Sequence, residues 1–189
     1  MSRIRRALIS VSDVAGLEEL AVALHQLGIE IVASSGTGKR IAEAGVPWLA
    51  VEEVTGAPEM LGGRVKTLHP GIHGGILARR DVPADLARIE EFGIKEIGLV
   101  VVNLYPFRET VATPGITDAE VIEKIDVGGP AMVRAAAKNH QAVGVVTSPS
   151  RYAEVIAELR EHVAQNHEQL LERVAYSWFN RLAALRYLD

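Results

Sequence analysis

The stretch "RRALISVSDVAGLEELAVALHQLGIEIVASSGTGKRIAEAGVPWLAV", residues 5–51, decides the fold. Residues 5–11 read as a short buried strand, and Leu17, Leu20, Ala21, Leu24 and Leu27 then recur at helical spacing. Gly28 closes that helix as a left-handed cap. "IEIVAS" (29–34) is the second strand, "GTGKRIAEAG" the second helix with Gly45 at its end, and "VPWLAV" (46–51) a third strand. Strand, helix, strand, helix, strand is the rhythm of a parallel sheet.

The rhythm continues outward. "PADLARIEEFG" (83–93) predicts a helix, "IGLVVVNLYPF" (97–107) opens on the most apolar strand, and Thr117 with Glu120 forms a capping-box pattern. "PAMVRAAAKN" (130–139) predicts a helix with Pro130 in its first turn, and "AVGVVTS" (142–148) a strand. Tyr152, Val155, Ile156, Leu159 and Val163 share one helical face, and residues 167–188, with Trp178 and Phe179, repeat the habit as a long C-terminal helix. The weakly periodic region is 52–76, which predicts a long loop. The expectation is one α/β domain over residues 1–189, a Rossmann-like parallel sheet with helices on both faces.

Composition narrows the function. With 189 residues and 48% apolar content the chain can bury a full core, and without cysteine it can hold neither a disulfide nor a thiolate metal site. A net charge of −4 and only five lysines argue against a nucleic-acid surface. Asp13 interrupts the first apolar stretch and no other run approaches a membrane span, so a cytoplasmic protein away from the membrane is expected.

In an open parallel sheet the ligand lies beyond the carboxyl ends of the strands. Those ends carry Ser10 and Ser12, then "SSGTGK" (34–39), then Asn103 and Tyr105. "SSGTGK" sets hydroxyls and free N–H groups at a helix start, a cradle for an anion, with an ordinary capped turn as the alternative. It is not a triphosphate loop, because Ala33 and Arg40 stand where Gly and Ser or Thr are required. "DVGGPAMVRAAAKNH" (126–140) is a second helix start after a glycine pair, in which the alanine triplet suggests a cleft-facing Lys138. The glycine-rich "GGRVKTLHPGIHGG" (62–75) either connects elements or holds an anion beside Lys66. His69 and His73 are four apart, but the intervening "PGI" argues against a helix there and the Glu of a zinc-protease helix is missing, so no metal is expected.

Together, "ALISVSD", "GRVKTLHPGIHGGILARR", "VVVNLYPF" and "IDVGGPAMVRAAAKNH" closely resemble the inosine monophosphate cyclohydrolase domain of bifunctional purine biosynthesis proteins, in order along nearly the whole chain. The resemblance implies a methylglyoxal-synthase-like fold and an enzyme that closes the purine ring, converting 5-formamidoimidazole-4-carboxamide ribotide (FAICAR) to inosine 5′-monophosphate (IMP). It implies no cofactor. Carried over by motif, Lys66, Tyr105, Asp126 and Lys138 are the catalytic set. Ser10, Ser12, Ser34, Gly36, Thr37, Arg64, Thr67, Asn103, Gly128 and Gly129 would bind substrate and its phosphate.

Relatives commonly carry a lysine where Val14 stands and a glycine where Ser35 stands, which forecasts weaker phosphate binding. The family's folate-dependent transformylase domain does not follow in this sequence, so a stand-alone enzyme, an excised domain and one product of a split gene all remain open. A homodimer and a separate formyltransferase are the expected partners. Two uses of the same fold compete: a regulatory nucleotide-binding module without catalysis, and methylglyoxal synthase itself. The first needs no Lys/Tyr/Asp/Lys set and the second lacks the long "GRVKTLHPGIHGGILAR" insertion.

Overall fold

The computed structural model describes residues 4–165. Its five parallel strands are β1 (Arg6–Ser10), β2 (Glu30–Ala33), β3 (Leu49–Ala50), β4 (Leu99–Val102) and β5 (Gly144–Val146), in the order β3-β2-β1-β4-β5. Helices α1 (Leu17–Gln26), α2 (Ser35–Glu43) and α3 (Val51–Thr55) belong to the first half, followed by α4 (Pro70–Leu77) and α5 (Pro83–Glu91). Beyond β4 come α6 (Phe107–Val111), α7 (Asp118–Ile122), α8 (Gly128–Lys138) and α9 (Tyr152–Gln165). The long helix expected over 167–188, with Trp178 and Phe179, lies outside the described residues.

Successive side chains of a strand point to opposite faces, and the buried residues divide accordingly. Ala7, Ile9, Ile31, Ala33, Leu99, Val101 and Val146 pack with Leu17, Leu20, Ala21 and Leu24 of α1, Ile41 of α2, and Tyr152, Val155 and Leu159 of α9. Leu8, Val32, Val100, Val102 and Val145 pack on the other face against Val51 of α3, Ile72 and Ile76 of α4, and Met132, Ala135 and Ala136 of α8. Each fully buried Leu or Ile contributes about 1.5–3 kcal/mol, so the two layers hold the sheet rigid from both sides. The expected helices on both faces are therefore present.

Two expectations change. The region 52–76 is not a loop, since it holds α3, a short 3-10 turn at Leu61–Gly63 and α4. Pro70 does not prevent a helix there, because it stands at the first turn, where no N–H is needed. His69 caps that turn, its Nδ1 accepting the Gly71 N–H at 3.0 Å. The third strand is cut to two residues because α3 begins at Val51.

Candidate functional site

β1 pairs with β2 on one side and β4 on the other, so the strand order reverses across β1. A cavity of about 510 Å³ opens at the carboxyl ends of these three strands. Its floor is β1's Ser10, Val11 and Ser12, β2's Ser34 with Gly36 and Thr37 of α2, and Asn103 and Tyr105 after β4. The 62–67 segment supplies Gly62, Gly63, Arg64, Lys66 and Thr67, and the chain from α7 into α8 supplies Ile122, Glu123, Ile125, Asp126, Val127, Gly128, Gly129 and Met132. Every site residue expected from the sequence except Lys138 borders this cavity.

The cleft-facing reading of Lys138 needs correction. Lys138 is exposed and is the last residue of α8, whereas Gly128 and Gly129 at the other end of that helix meet the cavity. Ten residues of helix separate Gly128 from Lys138, roughly 15 Å at 1.5 Å per residue. Ala135 and Ala136 do pack into the core, but two further steps of about 100° turn Lys138 out to solvent.

The first polar feature is a chain of hydroxyls. Ser10 Oγ donates to Ser34 Oγ at 3.3 Å, Ser34 Oγ to Thr37 Oγ1 at 3.1 Å, and Thr37 Oγ1 to the Val11 carbonyl at 3.3 Å. Thr37, only 2% exposed, also accepts the Val11 N–H at 3.1 Å, so its hydroxyl anchors the end of β1 to α2. Ser35, the departure in the cradle, points elsewhere and donates to Glu52 Oε1 at 3.2 Å.

Asn103 works as a clamp. Its Oδ1 accepts the Ser12 and Asp13 N–H groups at 2.6 and 2.9 Å, and its Nδ2 donates to the Asp13 carbonyl at 2.8 Å. Ser12 Oγ donates to the Leu104 carbonyl at 2.8 Å. Tyr152 of α9 hydrogen-bonds the same Asn103, and burial pushes its phenol up to about 12. Tyr152, read from periodicity as a core residue, is thus a support for the site that the periodicity did not disclose.

The cationic side of the cavity is carried by Arg64 and Lys66. Arg64 pairs with Glu123, which raises its pKa through the hydrogen bond and charge of that carboxylate. Lys66 Nζ lies 2.7 Å from Glu59 Oε2. Tyr105 is half exposed and its ring receives Lys124 Nζ 5.6 Å from the centroid. Asp126 Oδ1 accepts the Gly129 N–H at 2.9 Å. A Cβ at Gly129 would come within 2.5 Å of Asp126 Oδ2, and one at Gly128 within 2.7 Å of Thr67 Oγ1. The glycine pair is therefore a steric requirement for bringing α8's first turn against Asp126 and Thr67.

Glu59, Glu123 and the apolar Ile122 and Ile125 were not anticipated. Their signal was weak: Ile122, Glu123 and Ile125 stand within "VIEKID" just before Asp126, and Glu59 within "PEM" before the glycine pair. Neither His69 nor His73 borders the large cavity, and among the described residues no group of three or more His, Cys, Asp or Glu could hold a metal ion. His73 is partly buried, its pKa lowered by desolvation.

The starts of α2 and α8 both turn positive dipole ends toward one cavity that also holds two cations, although in α8 the Gly129 N–H is taken by Asp126 and Pro130 has none. Fold and cavity together define an α/β domain with a cavity at the switch point of its parallel sheet, where such sheets take their ligands. Residues 16–131 match the model of the MGS-like domain, and residues 136–186 that of the AICARFT/IMPCHase bienzyme. The chain belongs to the MGS-like domain family.

Its relatives include the bifunctional purine biosynthesis protein PurH of Neisseria gonorrhoeae, 58% identical over 84% of this chain and 30% of that protein. PurH of Brucella ovis is 51% identical over 97% of this chain and 34% of its own length. The chain thus spans about a third of the curated relatives it matches. Among solved structures, the crystal structure of ForH superposes with a TM-score of 0.79 and 36% identity, covering 96% of this chain and 92% of that one. The cyclohydrolase-domain resemblance expected from the motifs is matched by these relatives and by both family models.

Proposed function

We propose that this chain is an IMP cyclohydrolase, closing FAICAR to IMP with loss of water. The observation that carries the proposal is the meeting, in one cavity, of two helix N-termini with Arg64, Lys66, Tyr105 and Asp126. The α2 start with Ser34, Gly36 and Thr37 takes the monophosphate, and the opposite wall takes the two substituents that react.

The carboxamide nitrogen attacks the formyl carbon of the same molecule, so holding the substituents in contact supplies much of the acceleration. A carbon–nitrogen bond forms, the attacking nitrogen and the formamide nitrogen each give up one proton, and the former formyl oxygen leaves as water as the new C=N bond closes. Lys66 and Tyr105 polarise the carboxamide and manage its proton. Asp126 orients the formyl group and holds the Gly129 N–H, while the N–H of Gly128 faces the developing charge on the formyl oxygen. Lys138 is left out of the set, because it is exposed at the far end of α8.

The test is turnover of FAICAR by the purified chain, with chelator and without folate. IMP formation supports the proposal, whereas tight nucleotide binding without turnover overturns it in favour of a regulatory module. The chain also works as a homodimer in this proposal, supported by exposed Leu104, Phe107, Val111, Ile122, Ile125 and Val127 between β4 and α8. Light scattering that reports a monomer at micromolar concentration refutes that part. The formyl group arrives from a separate transferase, testable by coupling the two activities.

A further inference from the structure

Lys66 belongs to two cavities. It borders the large one and also a small one of about 20 Å³ formed by Glu52, Ala57, Pro58, Glu59, Met60, Val65 and His69. Glu59 borders only the small one, so its carboxylate stands behind the lysine as seen from the candidate active site.

This arrangement is set by backbone. Met60 and Val65 form an antiparallel bridge, and the chain between them reverses through Leu61, Gly62 and Gly63 at φ of 53°, 63° and 93°. Stepping one residue outward from the bridge brings Glu59 opposite Lys66, and the ion pair at 2.7 Å is that cross-strand pair. The φ of 93° at Gly63 favours glycine, and a Cβ there would lie 2.8 Å from Glu59 Oε1 and push that carboxylate aside. A non-glycine residue at positive φ, Leu61, is 74% exposed, so the strained turn is not held by burial of its own side chain. Neither Glu59 nor Lys66 belongs to the two core clusters, and partly exposed ion pairs contribute little to stability.

We propose that Glu59 is the positioning residue of Lys66: the strained 60–65 turn sets its carboxylate behind the lysine and fixes where the ammonium enters the cavity. The proposal rests on the cyclohydrolase assignment of that cavity. Two measurements on the full chain test it. Glu59→Gln keeps size but loses charge, and is expected to lower kcat by about tenfold to a hundredfold while the IMP dissociation constant stays within about twofold. Parental kcat in Glu59→Gln overturns the proposal.

Competitive acetylation of the five lysines, read by mass spectrometry, needs no turnover. Lys66 is expected to react severalfold faster in Glu59→Gln while Lys39, Lys95, Lys124 and Lys138 keep their rates. An unchanged Lys66 rate overturns the proposal even where kcat falls. A parent chain that forms no IMP, but whose Lys66 rate responds to Glu59→Gln, defeats the cyclohydrolase assignment and leaves the positioning supported.

Discussion

Asp126 Oδ1 accepts the Gly129 N–H at 2.9 Å, so one carboxylate both caps the first turn of α8 and borders the cavity. The two tasks separate by substitution. Asp126→Ala loses the cap, about 1 kcal/mol, and should lower the melting temperature by roughly 2–4 °C. Asp126→Asn retains an acceptor and should melt with the parent, yet lose on the order of 100-fold in kcat. Parental turnover in Asp126→Asn would show that the charge has no part in the reaction.

Gly36 and Gly129 both border the cavity but face different surroundings. A Cβ at Gly36 meets nothing within 4 Å, whereas at Gly129 it meets Asp126 and Leu104 at 2.5 and 2.6 Å. Gly36→Ala should hold or raise stability, by up to about 1 kcal/mol of helix propensity, while weakening IMP binding. Gly129→Ala should lower both. Calorimetry of each variant with and without IMP makes the comparison, and equal melting shifts in the two variants would contradict it.

Tyr152 governs an alkaline limb of stability. Burial raises its phenol from 10.0 to about 12, against the lowering effect of its hydrogen bond with Asn103. A folded-state value above the unfolded one means that its contribution is complete below about pH 10 and lost as pH rises through about 12. Tyr152→Phe should flatten the decline of urea midpoints across that window. An unaltered slope would assign the decline to another group.

Arg64 and Glu123 pair across the mouth of the cavity with both side chains about 60% exposed, 61% and 59%. A ligand anion must compete with Glu123 for the guanidinium. Glu123→Gln should therefore tighten IMP binding severalfold at low salt, with the gain fading as salt screens both partners. Titrations at two ionic strengths check this; weaker binding in the variant would mean that Glu123 itself holds the ligand.

The strands and main helices were legible because each carries its own pattern. Leu8 against Ala7 and Ile9 alternates by face, and Leu17, Leu20, Ala21 and Leu24 repeat every turn. The site was legible where residues cluster at strand ends, as with Ser10, Ser12, Ser34 and Asn103. Pattern fails where backbone conformation decides. The reversal at 60–65 depends on three successive left-handed residues and one bridging pair, which leaves no periodicity to read. Pro70 looked like a breaker, although Ile72 and Ile76 four residues apart were already the buried face of α4. Lys138 does not face the cleft as expected, because the alanines before it pack and the helix then turns away.

No residue from 103 to 127 is buried, and α6 and α7 contribute nothing to either core. Yet that connection carries Asn103, Tyr105, Ile122, Glu123, Ile125, Asp126 and Val127 to the cavity. Selection for folding and selection for ligand choice therefore act on separable tracts of one chain. The 104–125 stretch, between the Asn103 clamp and the Asp126 cap, is where recombination or directed evolution can redraw specificity without first having to rescue the scaffold.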